Sequence, residues 1–169
     1  MFQISPKLRS DVGRSLRKPG TRNTKTVVQQ FSDQSQHNAT ALYCDAKVKG
    51  KEIPLILDSE AAGSIVSCQL LNDLGIAIDR PSTTLMINVN GERKRPLGEV
   101  LNFPITIKNI TILIDAVVTD ATTYSAIVGN DWLSKVKANI DYETSTMIIQ
   151  WQGKEMSVPI EYLELPGEK

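Results

Sequence analysis

Apolar and polar positions divide this chain into a polar beginning and a strand-patterned remainder. Through residues 1–38 the apolar side chains are scattered among Ser, Gln, Thr and Asn, with neither a two-residue nor a 3.6-residue period. That texture predicts a disordered tail. It changes at Ala39. Residues 41–48 read as a strand with Leu42, Cys44, Ala46 and Val48 on one face, and Lys49-Gly50-Lys51 supplies a tight turn. Residues 53–57 return as a nearly all-apolar run, the pattern of a central strand. Pro54 falls early in that run, where a missing backbone donor is tolerable. The hairpin ends on Asp58.

Ile65 and Val66 continue as a short strand, and Ser67 caps a short helix over residues 68–74 that Gly75 ends. Residues 83–89 alternate and carry β-branched side chains. Asn90-Gly91 is the strongest hairpin turn signal in the chain, residues 92–97 return as a polar strand, and Gly98 breaks it. Residues 100–107 and 112–118 form a second apolar hairpin around Lys108-Asn109, with Phe103, Ile105 and Ile107 sharing one face. Ile127, Val128 and Gly129 lead into another short helix that ends by Ala138. Closing strands with tight turns follow to Ile160, and residues 161–169 read as a mobile end. The elements predict one all-β domain over residues 39–160 with one or two short helices.

Composition narrows the chemistry. The 169 residues are 41% apolar, which is enough for one domain with a core. Net charge is zero, but residues 1–25 carry seven Lys and Arg against Asp11 alone, net +6, leaving the remainder at −6. This basic tail offers a weak nucleic-acid contact at most. A solvated linker is the favoured reading, because no aromatic interleaves the cations. Two cysteines, Cys44 and Cys68, and one histidine, His37, do not make a four-ligand zinc site. No metal or cofactor is expected. His37, in the polar stretch, is poorly placed to serve a Ser or Cys nucleophile. The N-terminus lacks the apolar segment of a signal peptide, and no run is long enough to span a membrane. An intracellular, cytoplasmic protein with free thiols is expected.

The chemistry-bearing stretch is 54–67. An apolar run delivers one carboxylate, Asp58, then a hydroxyl, Ser59, then small residues before a second apolar run. A buried strand that ends on a carboxylate holds it at a defined place, and small side chains let backbone approach closely.

Asp58-Ser59-Glu60-Ala61 resembles the Asp-Ser/Thr-Gly-Ala signature of retropepsin-like aspartic proteases, with those of gypsy-type long-terminal-repeat retrotransposons the nearest likeness. Glu60 stands where that signature has glycine. The hairpin around Val89, Asn90, Gly91 and Glu92 occupies the place of the family's flap. Ile127-Val128-Gly129 resembles its second signature, which holds the catalytic loop from behind. The resemblance covers roughly residues 40–160.

It implies a closed β-barrel or sandwich subunit with a flap hairpin, working as a two-fold homodimer. Asp58 is the catalytic residue it implies, and the reaction is hydrolysis of a peptide or polyprotein substrate by water held between two Asp58 carboxylates. Asp131 and Asp141 read as structural, Asp131 as a helix cap. An alternative remains open: with Glu60 at the signature glycine, the fold serves dimerisation or peptide binding without catalysis. A left-handed backbone at that position would cost a non-glycine residue roughly 1–2 kcal/mol. A third reading is nucleic-acid binding through the basic tail.

Overall fold

The computed structural model describes residues 26–28, 39–87 and 91–165. Strand β2 (Ala39–Val48) turns through Lys49 and Gly50, both at positive φ, into β3 (Lys51–Leu57), and the two pair antiparallel from Leu42↔Leu57 to Val48↔Lys51. After the 58–63 loop come β4 (Ser64–Ser67) and helix α1 (Cys68–Leu74). The Ser67 side chain accepts a bond from the Leu70 N–H, and Gly75 closes the helix at φ 69°. Both caps are those expected from the sequence.

The hairpin β7 (Gly98–Ile107) and β8 (Ile110–Thr119) turns at Lys108, and a bulge between Val100 and Phe103 puts Asn102 at φ 54°. Then come β9 (Ala126–Val128) and α2 (Asn130–Lys135). A three-stranded sheet of β10 (Asn139–Asp141), β11 (Thr146–Trp151) and β12 (Lys154–Pro159) follows, and β13 (Glu161–Leu165) ends the described chain.

The main sheet runs β13-β2-β3-β9-β4-β8-β7. A bridge between Lys47 of β2 and Thr106 of β7 closes six of these strands into a barrel. Its interior is apolar because alternate positions of β2, β7 and β8 point inward. Val48, Leu55, Phe103, Ile105, Ile107 and Ile112 are all buried, and Trp132 of α2 is packed among them. A second, smaller apolar cluster lies apart from this core: Ile56, Ala61, Ile65, Met86, Val117 and Ile127.

Four expectations are corrected. Thr26–Val28, inside the stretch read as a disordered tail, forms β1, which pairs parallel with β5 (Leu85–Ile87). Residues 161–165, read as a mobile end, pair antiparallel with β2 along Ala39–Tyr43 and cover an edge that would otherwise leave backbone donors and acceptors open. Gly98 begins β7 rather than breaking a strand. A Cβ there would lie 2.4 Å from Ile78 Cγ2 and 2.9 Å from the Arg80 carbonyl, so the glycine admits a close chain crossing. The polar return strand is only β6 (Arg93–Lys94), paired with Met86 and Ile87 of β5. The expected turn at Val89 and Asn90 lies outside the described residues.

Cys44 and Cys68 are both free thiols, and burial pushes the Cys44 pKa up to about 12. Among the described residues no helix is long and apolar enough to cross a membrane.

Truncating Phe103, which is 1% exposed, to alanine should cost about 3–5 kcal/mol of unfolding free energy in urea titrations. Leu113→Ala, on the 46%-exposed outer face of the same hairpin, should stay within about 1 kcal/mol of the parent. Equal losses would contradict this assignment of faces.

Candidate active site

The 58–63 loop is held by the strand between its own two stems. β3 leads into the loop and β4 leaves it. β9 pairs parallel with β3 at Ile56↔Ile127 and Leu57↔Val128, and antiparallel with β4 at Ile65↔Ile127. The loop is then stitched to the chain that follows β9. The Asp58 N–H donates to the Val128 carbonyl at 3.0 Å, and the Asn130 and Asp131 N–H groups donate to the Ala61 and Ala62 carbonyls at 2.7 and 3.1 Å. Gly129 permits the approach. A Cβ at that position would lie 2.3 Å from the Ala61 carbonyl oxygen and 2.7 Å from that of Gly63. The structure therefore brings Ile127, Val128 and Gly129 together with Asp58, Ser59, Glu60 and Ala61.

Asp58 is half-buried at the end of β3. The Glu60 N–H donates to its Oδ1 at 2.9 Å. Burial raises its pKa above 3.8, the Glu60 and Ala61 N–H groups pull it back, and the Glu60 carboxylate adds a further upward push. Ser59 and Glu60 are exposed, whereas Ala61 is buried in the second apolar cluster. Glu60 is not among the described residues with positive φ. The turn thus does not ask for the left-handed conformation that would penalise a side chain here, and Glu60 carries no such strain. Gly91 (φ 82°) and Glu92 are exposed beside β6, while Val89 and Asn90 lie outside the described residues.

Asp131 lies behind the loop. Its Oδ1 accepts from the Ser64 hydroxyl at 2.9 Å and from the Trp132 N–H at 2.7 Å, and its Oδ2 accepts from the Ser64 N–H at 3.1 Å. Asp131 is not the helix cap expected from the sequence: Gly129 caps α2 without a side-chain bond, and Asp131, inside the first turn, ties that turn to the end of the loop. Burial pushes its pKa up to about 6 against these donors. Asp141 binds the Glu143 and Thr144 N–H groups in an exposed turn, away from the loop. Two participants went unrecognised in the sequence: Ser64, and Asn130, whose side-chain amide donates to the Ser59 carbonyl at 2.7 Å. The only hint was a polar residue directly after Gly129. No group of three or more His, Cys, Asp or Glu among the described residues is placed to hold a metal ion.

The sequence profile of the retroviral aspartyl protease family matches residues 23–155. No curated protein matches the chain. Among solved structures, the retroviral protease-like domain of Ddi1 from Leishmania major superposes with a TM-score of 0.58 at 19% identity, over 73% of this chain and 95% of that one. EIAV protease complexed with the inhibitor HBY-793 (TM-score 0.48, 19% identity) aligns over 63% of this chain and 94% of its own. A retropepsin-like aspartic protease from Rickettsia conorii (0.45, 16%) aligns over 75% and 98%.

Gly129→Ala should destabilise the fold by about 2 kcal/mol or more, because its methyl must displace the loop backbone. Thermal or urea unfolding reads this directly.

Asp131 also sets a pH dependence. Its folded pKa of about 6 lies above the ordinary 3.8, so the folded chain keeps a proton that the unfolded chain has released. Protonation favours the fold, and the Asp131 contribution declines as pH rises from about 4 to about 6. Against Asp131→Asn, the parent should lose up to about 3 kcal/mol across that window in urea titrations, then level off.

Proposed function

Since the chain belongs to the retroviral aspartyl protease family, we propose that it is an aspartic endopeptidase whose catalytic residue is Asp58. The observation that carries this reading is the half-buried Asp58 carboxylate at the tip of a central strand, in a loop locked on both stems by β9. Catalysis of this kind needs two carboxylates sharing a proton. One takes a proton from the attacking water, and the other gives one to the scissile carbonyl oxygen. Asp131 faces away into Ser64 and α2, so among the described residues no other aspartate shares the setting of Asp58.

The dyad in this reading is completed by Asp58 of a second copy across a two-fold axis. The exposed Ser59 hydroxyl is available to bond across that axis. The substrate class is a polyprotein, of a retroelement or a domesticated equivalent, and the hairpin of β5 and β6 closes over it.

One observation favours a second reading, a protease fold retained for dimerisation or peptide binding: Glu60 occupies the signature glycine. Its exposure and unstrained backbone weigh against a lesion there.

The test is cleavage of a mixed peptide library between pH 4 and 7. The parent should cleave, and Asp58→Asn should fall to background. Glu60→Gly should retain activity, with its acidic limb at lower pH, because a charge that raises the Asp58 pKa is gone. Cleavage by Glu60→Gly alone would transfer the weight to the second reading.

A further inference from the structure

The peptide group between Ser59 and Glu60 is held at both ends. Its carbonyl accepts from Asn130 Nδ2 at 2.7 Å, and its N–H donates to Asp58 Oδ1 at 2.9 Å. The flanking Ser59 and Glu60 side chains are exposed, so packing does not orient this peptide plane. The two hydrogen bonds do. Asn130 is itself fixed, because its own N–H donates to the Ala61 carbonyl at 2.7 Å and it follows the tightly docked Gly129.

We propose that Asn130 is a positioning residue for the reaction: by clamping the Ser59–Glu60 peptide it aims an N–H at one oxygen of Asp58. This deepens the aspartic endopeptidase reading and rests on it.

The physical consequence follows from the amide. A carbonyl that accepts a bond polarises its own peptide group and makes the N–H at the other end a better donor. That donor favours the ionised form of Asp58 and fixes the direction its carboxylate faces. Without the Asn130 amide, the peptide is free to rotate and carry the Glu60 N–H off Oδ1. The clamp also bears on Glu60. The peptide orientation is set from the Asn130 side, through the backbone alone, so it does not depend on the identity of the residue at position 60.

The experiment compares the full chain with Asn130→Ala and with Ser134→Ala, an exposed position on the same helix and outside the site. Carboxyl carbons of aspartate are labelled with carbon-13 and titrated by NMR, with Asp58→Asn identifying the Asp58 signal. The Asp58 midpoint should rise by about half a pH unit or more in Asn130→Ala. The Glu60 amide should exchange faster, and neither quantity should move in Ser134→Ala. In cleavage assays kcat should fall several-fold with KM nearly unchanged, and the acidic limb should shift upward with the midpoint.

If Asn130→Ala does not fold, Asn130→Leu keeps the branched shape without a donor and is read in the same way. An unmoved Asp58 midpoint in a folded variant overturns the clamp, whether or not the chain cleaves peptides. Absence of cleavage in the parent overturns the endopeptidase reading and leaves the titration to decide the clamp.

Discussion

A loop made mostly of small and polar residues cannot hold a carboxylate still by its own packing. Here the constraint comes from β9, which is hydrogen-bonded to the strand entering the loop and to the strand leaving it. Three residues of β9 therefore fix the separation and direction of both stems, and the backbone just beyond them takes up the loop's carbonyls. Gly129 is where this becomes a steric requirement, since any side chain would occupy the space of the Ala61 carbonyl. The barrel does the rest by making β3 and β9 central. With Leu55, Leu57 and Val128 buried in its core, the frame that carries Asp58 cannot shift without opening apolar surface.

Asp58, the first residue of this loop, and Asp131, bonded to Ser64 just past its end, both have raised pKa values, and burial is the leading cause for both. Their surroundings separate their work. Asp131 accepts from Ser64 and Trp132 in a closed arrangement, which suits a structural tie. Asp58 is half-buried at the start of the loop, next to the exposed Ser59 and Glu60. Glu60 adds negative charge near Asp58 and pushes its pKa upward.

Much of this was legible because the deciding signals were local. The all-apolar 53–57 run ending on Asp58, the Ser67 and Gly75 caps and the Ile127-Val128-Gly129 motif are each a pattern within a few residues, and each forms the element expected. What was missed depends on contacts far along the chain. Strand β13 exists because β2 has an edge to cover, β1 because β5 has one, and Gly98 is a crossing point rather than a breaker. The signature glycine at position 60 suggests two costs for a glutamate, a left-handed backbone and a like charge beside Asp58. The turn uses ordinary φ there, which no residue pattern reveals. Asn130 was invisible for the same reason: its partner is the carbonyl of Ser59, 71 positions away.

The most direct test of a dyad built from two copies of Asp58 is a mixing series. Parent and Asp58→Asn chains are co-refolded in varied proportion at constant total concentration, and peptide cleavage is measured. If each active unit needs Asp58 from both chains, the rate falls as the square of the parent fraction, to about one quarter at an equal mixture. A rate that falls linearly, to about one half, would show that one chain suffices and would contradict the account, as would the absence of cleavage at every proportion.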